Sequence, residues 1–189
     1  LKPLYNEEDA KTASTHFVEV DYGQWFQIEE GVELLFTDAG HIIGSAVVHI
    51  KITEDGKTEQ LTFSGDVGRY RDVILKSPEV FPQADYIILE STYGNSLHDL
   101  HKPTLDLLLQ WIEKTCVEKK GKLIIPAFSV GRTQEILYAL NQLDLERRLP
   151  EVAYFVDSPL SIKATEIVKG YPEYFNATIQ KVLKTDQDP

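Results

Sequence analysis

Methionine is absent from all 189 residues, and cysteine occurs once, at Cys116. A chain without methionine carries no translation start. With neither the charged nor the apolar stretch of a signal peptide, it reads as a processed or excised piece of something longer. A single thiol excludes an internal disulfide framework and fits a reducing compartment, so the sequence predicts a cytoplasmic protein. Long apolar runs are missing too: none approaches the roughly 20 residues that a membrane-crossing helix needs. Positive charge is scarce. Against 30 Asp and Glu stand 19 Lys and Arg, a net charge of −11, with no basic excess of the kind a sequence-blind nucleic-acid binder uses to displace counterions.

What remains is ordinary globular material. Apolar residues make up 42% and charged residues 26%, values that exclude disorder and collagen-like repeats. The length suits one domain, or one domain plus part of another, and buries a core without disulfide or metal staples. The acidity is uneven: residues 1–94 hold 7 basic against 17 acidic side chains, residues 95–189 hold 12 against 13. That split predicts two units, an acidic first half suited to crowding carboxylates around a cation and a second half able to present local positive patches. For most of these side chains a solvated surface is an equal reading.

The periodicity changes at the same place. Asn6 is a candidate N-cap for a short helix rich in acids. FVEV, WFQI, VELLFT, AVVHIKI and QLTFS then read as strands. The pair Asp55-Gly56 signals a hairpin, though with a linker longer than two residues. YIILE (86–90) is a continuous apolar run, expected as a fully buried strand. Beyond Gly94, helices are expected over 102–119 and 130–148, buried strands at KLIIPAF and AYFVDSP, and a helix opening at Ser158-Pro159 and closing near Gly170. Strand–helix–strand–helix order predicts parallel pairing. The boundary falls near residue 95.

Three polar side chains follow apolar strands directly: His41, Asp66 and Glu90. Ligand sites gather at strand carboxyl ends, where loops deliver side chains into one crevice. Imidazole plus carboxylate is a donor pair suited to zinc. Gly40, Gly44 and Gly65 beside them allow a close backbone approach. From spacing alone, a shared metal stands beside a hydrogen-bonded loop histidine and a turn aspartate.

Four segments narrow the choice: DAGHIIGSA (38–46), FSGDVGR (63–69), ILESTYGN (88–95) and PAFSVGRTQE (126–135). In this order they resemble the metallo-β-lactamase-fold nucleases of the β-CASP group, which includes the endonuclease subunit of pre-mRNA cleavage and bacterial and archaeal RNA-processing relatives. The resemblance covers essentially the whole chain. It implies an α/β fold, part of a metallo-β-lactamase αββα sandwich (1–94) followed by the first part of a β-CASP α/β domain (95–189). It implies a ribonuclease with two zinc ions and an RNA substrate, oligomeric assembly being left open. His41 then matches a ligand of one zinc, Asp66 the carboxylate bridging both, and Glu90 the acid that orients a catalytic histidine from later in the chain.

The group's HxHxDH signature, which supplies most metal ligands, is missing, since His16 is the one histidine before His41. His41 and Asp66 give two ligands where a zinc site takes three or four. The chain alone is therefore expected neither to hold a dizinc centre nor to cleave RNA. A non-catalytic RNA-binding or scaffolding subunit and a DNA-processing nuclease of the same group are the competing readings.

Other side chains carry weaker claims. Arg132, with Ser129 and Gly131, makes an anion-binding helix start or a structural salt bridge. Tyr93 is a candidate for stacking on RNA at the cleft or for packing at the domain junction. Lys119, Lys120 and Lys122, and Arg147-Arg148, read as solvated helix ends; His98 and His101 as exposed surface; His49 as a strand histidine with an ordinary partner. Cys116 lies on an apolar helix stripe and is expected buried.

Overall fold

The computed structural model describes residues 3–96 and 104–184. Its centre is a five-stranded sheet in sequential order, β1 (Phe26–Glu29), β2 (Val32–Asp38), β3 (Ala46–Glu54), β4 (Lys57–Phe63) and β5 (Tyr86–Ile88). The first four pair antiparallel, and β5 lies parallel to β4, with Leu61 opposite Tyr86 and Phe63 opposite Ile88. In β3 alternate residues are buried at its start, so Val47 and His49 point inward as the two-residue period requires.

β3 and β4 are joined by Asp55 and Gly56 alone, since Glu54 pairs with Lys57. Both linker residues have positive φ, 49° and 75°, the mirror-image turn whose twist matches that of paired strands. The longer linker expected from the sequence is thus replaced by strands that run right up to the turn.

The described residues also form five α-helices: α1 (Glu7–Ser14), α2 (Thr104–Ile112), α3 (Arg132–Leu145), α4 (Pro159–Lys169) and α5 (Ala177–Leu183). Asn6 caps α1 in a full capping box with Asp9, and Ser158 caps α4 with Pro159 at its first position. The helix expected over 102–119 is α2 continued by a π-helical segment, Glu113–Glu118, which leaves Cys116 half-buried instead of in the core. Residues 102 and 103 lie outside the described residues.

Several expected strands are not formed. FVEV, KLIIPAF and AYFVDSP have no ladder partner among the described residues, and Phe17, Ile124, Phe128 and Phe155 are exposed. YIILE yields only the short β5, at the sheet edge, with its side chains exposed instead of buried. An apolar run becomes a buried strand only when a neighbouring strand takes up its N–H and C=O groups, and these runs find none. The parallel strand–helix alternation expected after residue 95 is accordingly absent from the described residues.

A cluster of buried apolar residues joins the loops after β2 and β4 to the later helices. Ile74, Phe175 and Ile179 form its centre, with Ile43, Leu75, Tyr138 and Val168 packed around them. Leu75 and Phe175 also form a backbone bridge, and the Asn176 N–H donates to the Ile74 carbonyl at 2.8 Å. The loop after β4 is thereby sewn to the start of α5.

Candidate active site

Two loops build the site, one after β2 and one after β4. The first (39–45) is wound tightly: the Ala39 N–H donates to the Ser45 carbonyl (3.2 Å) and Ser45 Oγ accepts from the N–H groups of His41 (3.2 Å) and Ile42 (3.3 Å). Tyr22 braces it from outside, its hydroxyl donating to the Ser45 carbonyl at 2.8 Å. Burial, reinforced by the negative charge of Asp38, pushes the Tyr22 pKa up to about 12, so this donor is permanent at physiological pH.

The second loop lies against the first. The Gly68 N–H donates to the Ala39 carbonyl at 2.8 Å, and a Cβ on Gly68 would run into the Gly40 carbonyl. Only glycine fits there. This contact brings His41 and Asp66 together, with Nε2 and Oδ2 4.0 Å apart and side chains 46% and 72% exposed.

Glu90 closes the group from behind. Its Oε1 accepts from the Val67 N–H at 2.9 Å and its Oε2 from the Thr92 N–H at 3.3 Å. Its own N–H donates to Ser64 Oγ at 3.0 Å. The Val67 hydrogen bond above all, then those of Thr92, and the nearby His41 imidazole hold the Glu90 carboxyl below its usual range, so it stands as a carboxylate. By gripping Val67 it fixes the loop one residue from Asp66.

The three residues therefore converge. Ser129 and Arg132 sit at the start of α3, where Gly131 joins His41 and Ile42 in lining a cavity of about 30 Å³. Arg132 makes the salt bridge foreseen as its structural alternative, to Glu135 at 2.5 Å. Tyr93 is exposed in the turn after Glu90. Arg148 is a bridging residue and not merely a solvated helix end, pairing with Asp106 and Glu146. His49 is fully buried between two threonines. His98 and His101 lie outside the described residues.

As a metal site the donor chemistry fits zinc, one imidazole nitrogen facing one carboxylate oxygen, but the number falls short. Among the described residues no three His, Cys, Asp or Glu side chains are grouped to hold an ion.

The family model described as the Beta-Casp domain matches residues 133–189. A ribonuclease of Thermus thermophilus is 32% identical over 188 residues, covering 100% of this chain and 42% of its own. The transcription termination factor FttA of Methanosarcina mazei is 36% identical over 92% of this chain and 27% of its own length. An RNase J-like protein of Methanocaldococcus jannaschii is 32% identical, over 100% and 44%. The chain belongs to the β-CASP family. Its fold is a piece of the metallo-β-lactamase and β-CASP architecture, and it spans less than half the length of these relatives. No helix among the described residues is long and apolar enough to cross a membrane.

Within this β-CASP chain, sequence reasoning missed four residues that shape the site. Gly68 and Ser64 flank the Asp66 loop, and Gln134 and Glu135 end the PAFSVGRTQE segment. Each lies inside a quoted motif. Their partners lie far away in sequence, so the motif alone does not reveal these roles.

Proposed function

We propose that this chain is part of a zinc-dependent ribonuclease that hydrolyses RNA phosphodiester bonds in RNA processing or decay. In this reading residues 1–94 belong to the metallo-β-lactamase domain and residues 95–189 to the β-CASP domain, and the protein works in the cytoplasm. The observation that carries the proposal is the approach of His41 Nε2 to Asp66 Oδ2, 4.0 Å, with Glu90 bound one residue away. The names of the relatives supply the substrate class: a ribonuclease and an RNase J-like protein.

Two zinc ions are the cofactor, and when bound they supply charge stabilisation for the phosphodiester and a hydroxide at neutral pH. His41 presents one ligand nitrogen, its backbone pinned by Ser45 so that the ring faces Asp66. Asp66 would present its carboxylate to the same cations. Glu90 stays ionised and orients an imidazole that donates a proton to the leaving oxygen. Ser129, Arg132 and Tyr93 contact the RNA.

Calorimetric zinc titration and a labelled-RNA assay test this in two settings. The 189-residue chain alone is expected to bind no zinc stoichiometrically and to leave RNA intact. In the intact enzyme His41→Ala and Asp66→Ala abolish cleavage, and Glu90→Gln lowers it about 10- to 100-fold. Undiminished cleavage by both alanine variants overturns the proposal. Cleavage of a DNA strand but not of the matching RNA replaces the substrate.

A further inference from the structure

Two motifs end on residues that the reaction above leaves without a role: Arg69 of FSGDVGR and Glu135 of PAFSVGRTQE. They meet although 66 positions separate them in sequence. Glu135 Oε1 accepts from Arg69 Nη2 and its Oε2 from Arg132 Nη1, each at 2.5 Å. Arg69 Nη2 also reaches Asp72 Oδ2 at 3.0 Å, and Asp72 Oδ1 accepts from the N–H groups of Ile74 and Leu75. The result is a line of alternating charge, Asp72, Arg69, Glu135, Arg132, running from the loop after β4 to the first residue of α3.

Most surface ion pairs contribute little, because water screens them and long side chains lose freedom in forming them. This line is better placed. The Glu135 side chain is only 19% exposed, whereas those of Arg69 and Arg132 are 52% and 55% exposed. Glu135 also lines the same cavity as His41 and Gly131. Behind it, the preceding two residues brace the turn into α3. Thr133 Oγ1 donates to the Phe128 carbonyl (2.7 Å), and Gln134 takes the Gly131 N–H (2.7 Å) while donating to the Ser129 carbonyl (3.1 Å) and to Thr165 Oγ1 on α4 (2.9 Å). A guanidinium held in one pose before the ligand arrives loses less freedom when it binds.

We propose that Glu135 is a positioning residue. It holds Arg132 in a fixed pose at the first residue of α3 and, through Arg69, sets the start of α3 against the loop that carries Asp66. The ligand, an RNA phosphodiester, rests on the nuclease reading; the clasp itself does not.

The test uses the 189-residue chain with two measurements. In nitrogen-15 spectra of the arginine side chains, Arg69 and Arg132 show hindered guanidinium rotation, and Glu135→Gln removes it at Arg132 and reduces it at Arg69, which Asp72 still holds, while the remaining backbone signals keep their dispersion. Glu135→Asp keeps the charge at a shorter reach, and should the glutamine variant unfold, loss of hindered rotation at Arg132 in the aspartate variant is the expected result. Binding of a fluorescent single-stranded RNA then separates positioning from plain charge. Glu135→Gln removes a negative charge, so a bystander carboxylate predicts tighter binding. A positioning carboxylate predicts weaker binding, by about fivefold, the size of one partly exposed charge-assisted contact. Hindered rotation of Arg132 that persists in the folded variants, or tighter or unchanged RNA binding by Glu135→Gln, overturns the inference. If the wild-type chain binds no RNA, the substrate reading fails and the arginine spectra alone decide the clasp.

Discussion

His49 has no solvent exposure, and both its ring nitrogens are committed, Nε2 to Thr37 Oγ1 at 3.0 Å and Nδ1 to Thr62 Oγ1 at 2.8 Å. It thus ties β2, β3 and β4 together through side chains, and Phe81 packs edge-on against it. Burial lowers its pKa below the ordinary 6.5, because a charged ring would sit without water. The neutral ring stabilises the fold fully above pH 6.5; as pH falls below that value the unfolded chain takes up the proton first, and stability drops until the lowered folded value is reached. Urea melts from about pH 8 to about pH 5 are expected to show that decline, and His49→Gln to flatten it while costing about 1–2 kcal/mol at neutral pH. A slope that His49→Gln leaves intact assigns it to other groups. The residue scale is where the sequence was most legible. An ordinary partner was foreseen for His49, and the adjacency of His41, Asp66 and Glu90 to strand ends was readable from the order of apolar and polar residues. The partners were not: nothing in the local pattern says that Glu90 accepts from Val67, or that Gly68 is there because the Gly40 carbonyl leaves no room for a Cβ.

Among the elements, those fixed by neighbours in sequence were legible and those fixed by distant partners were not. The cap at Asn6, the cap and proline that open α4, and the Asp55-Gly56 turn all follow from bonds spanning two or three residues. KLIIPAF and AYFVDSP carry the composition of buried strands, yet burial depends on a partner that composition does not specify. α1 shows the other side of this rule. It buries no residue, so its support is local: the Asn6 capping box and the Lys11–Glu7 pair at 2.7 Å. Short helices without a packed face are marginal in water. Asn6→Ala is therefore expected to cost α1 about 1 kcal/mol. Amide exchange over residues 8–13 should rise while the global melt stays where it was. A fall in the global melting temperature would mean that α1 is packed in solution.

At the scale of the molecule, a small core ties the loops that leave β2 and β4 to the later helices. Ile74 comes from the loop after β4, Phe175 and Ile179 from the segment leading through α5, and Tyr138 and Val168 from α3 and α4. Phe175 is 5% exposed and combines a ring in this core with a backbone bridge to Leu75. Its ring is the largest side chain at the centre of that cluster. Phe175→Ala keeps the bridge and removes the ring, and a truncation of this kind costs about 3–5 kcal/mol. That is a large share of the roughly 5–15 kcal/mol by which a domain is stable, so the effect should not stay local. Ile74 lies two residues after Asp72, and Asp72 anchors Arg69. Losing the ring should thus loosen the loop of Asp66 as well as α5. Hydrogen exchange in Phe175→Ala is expected to quicken together at 66–76 and 172–183, while β2 and β3, laced through His49, keep their protection. Quickening confined to 172–183 would show that the core does not support the site, and that the Asp66 loop is held by Gly68 and Glu90 alone.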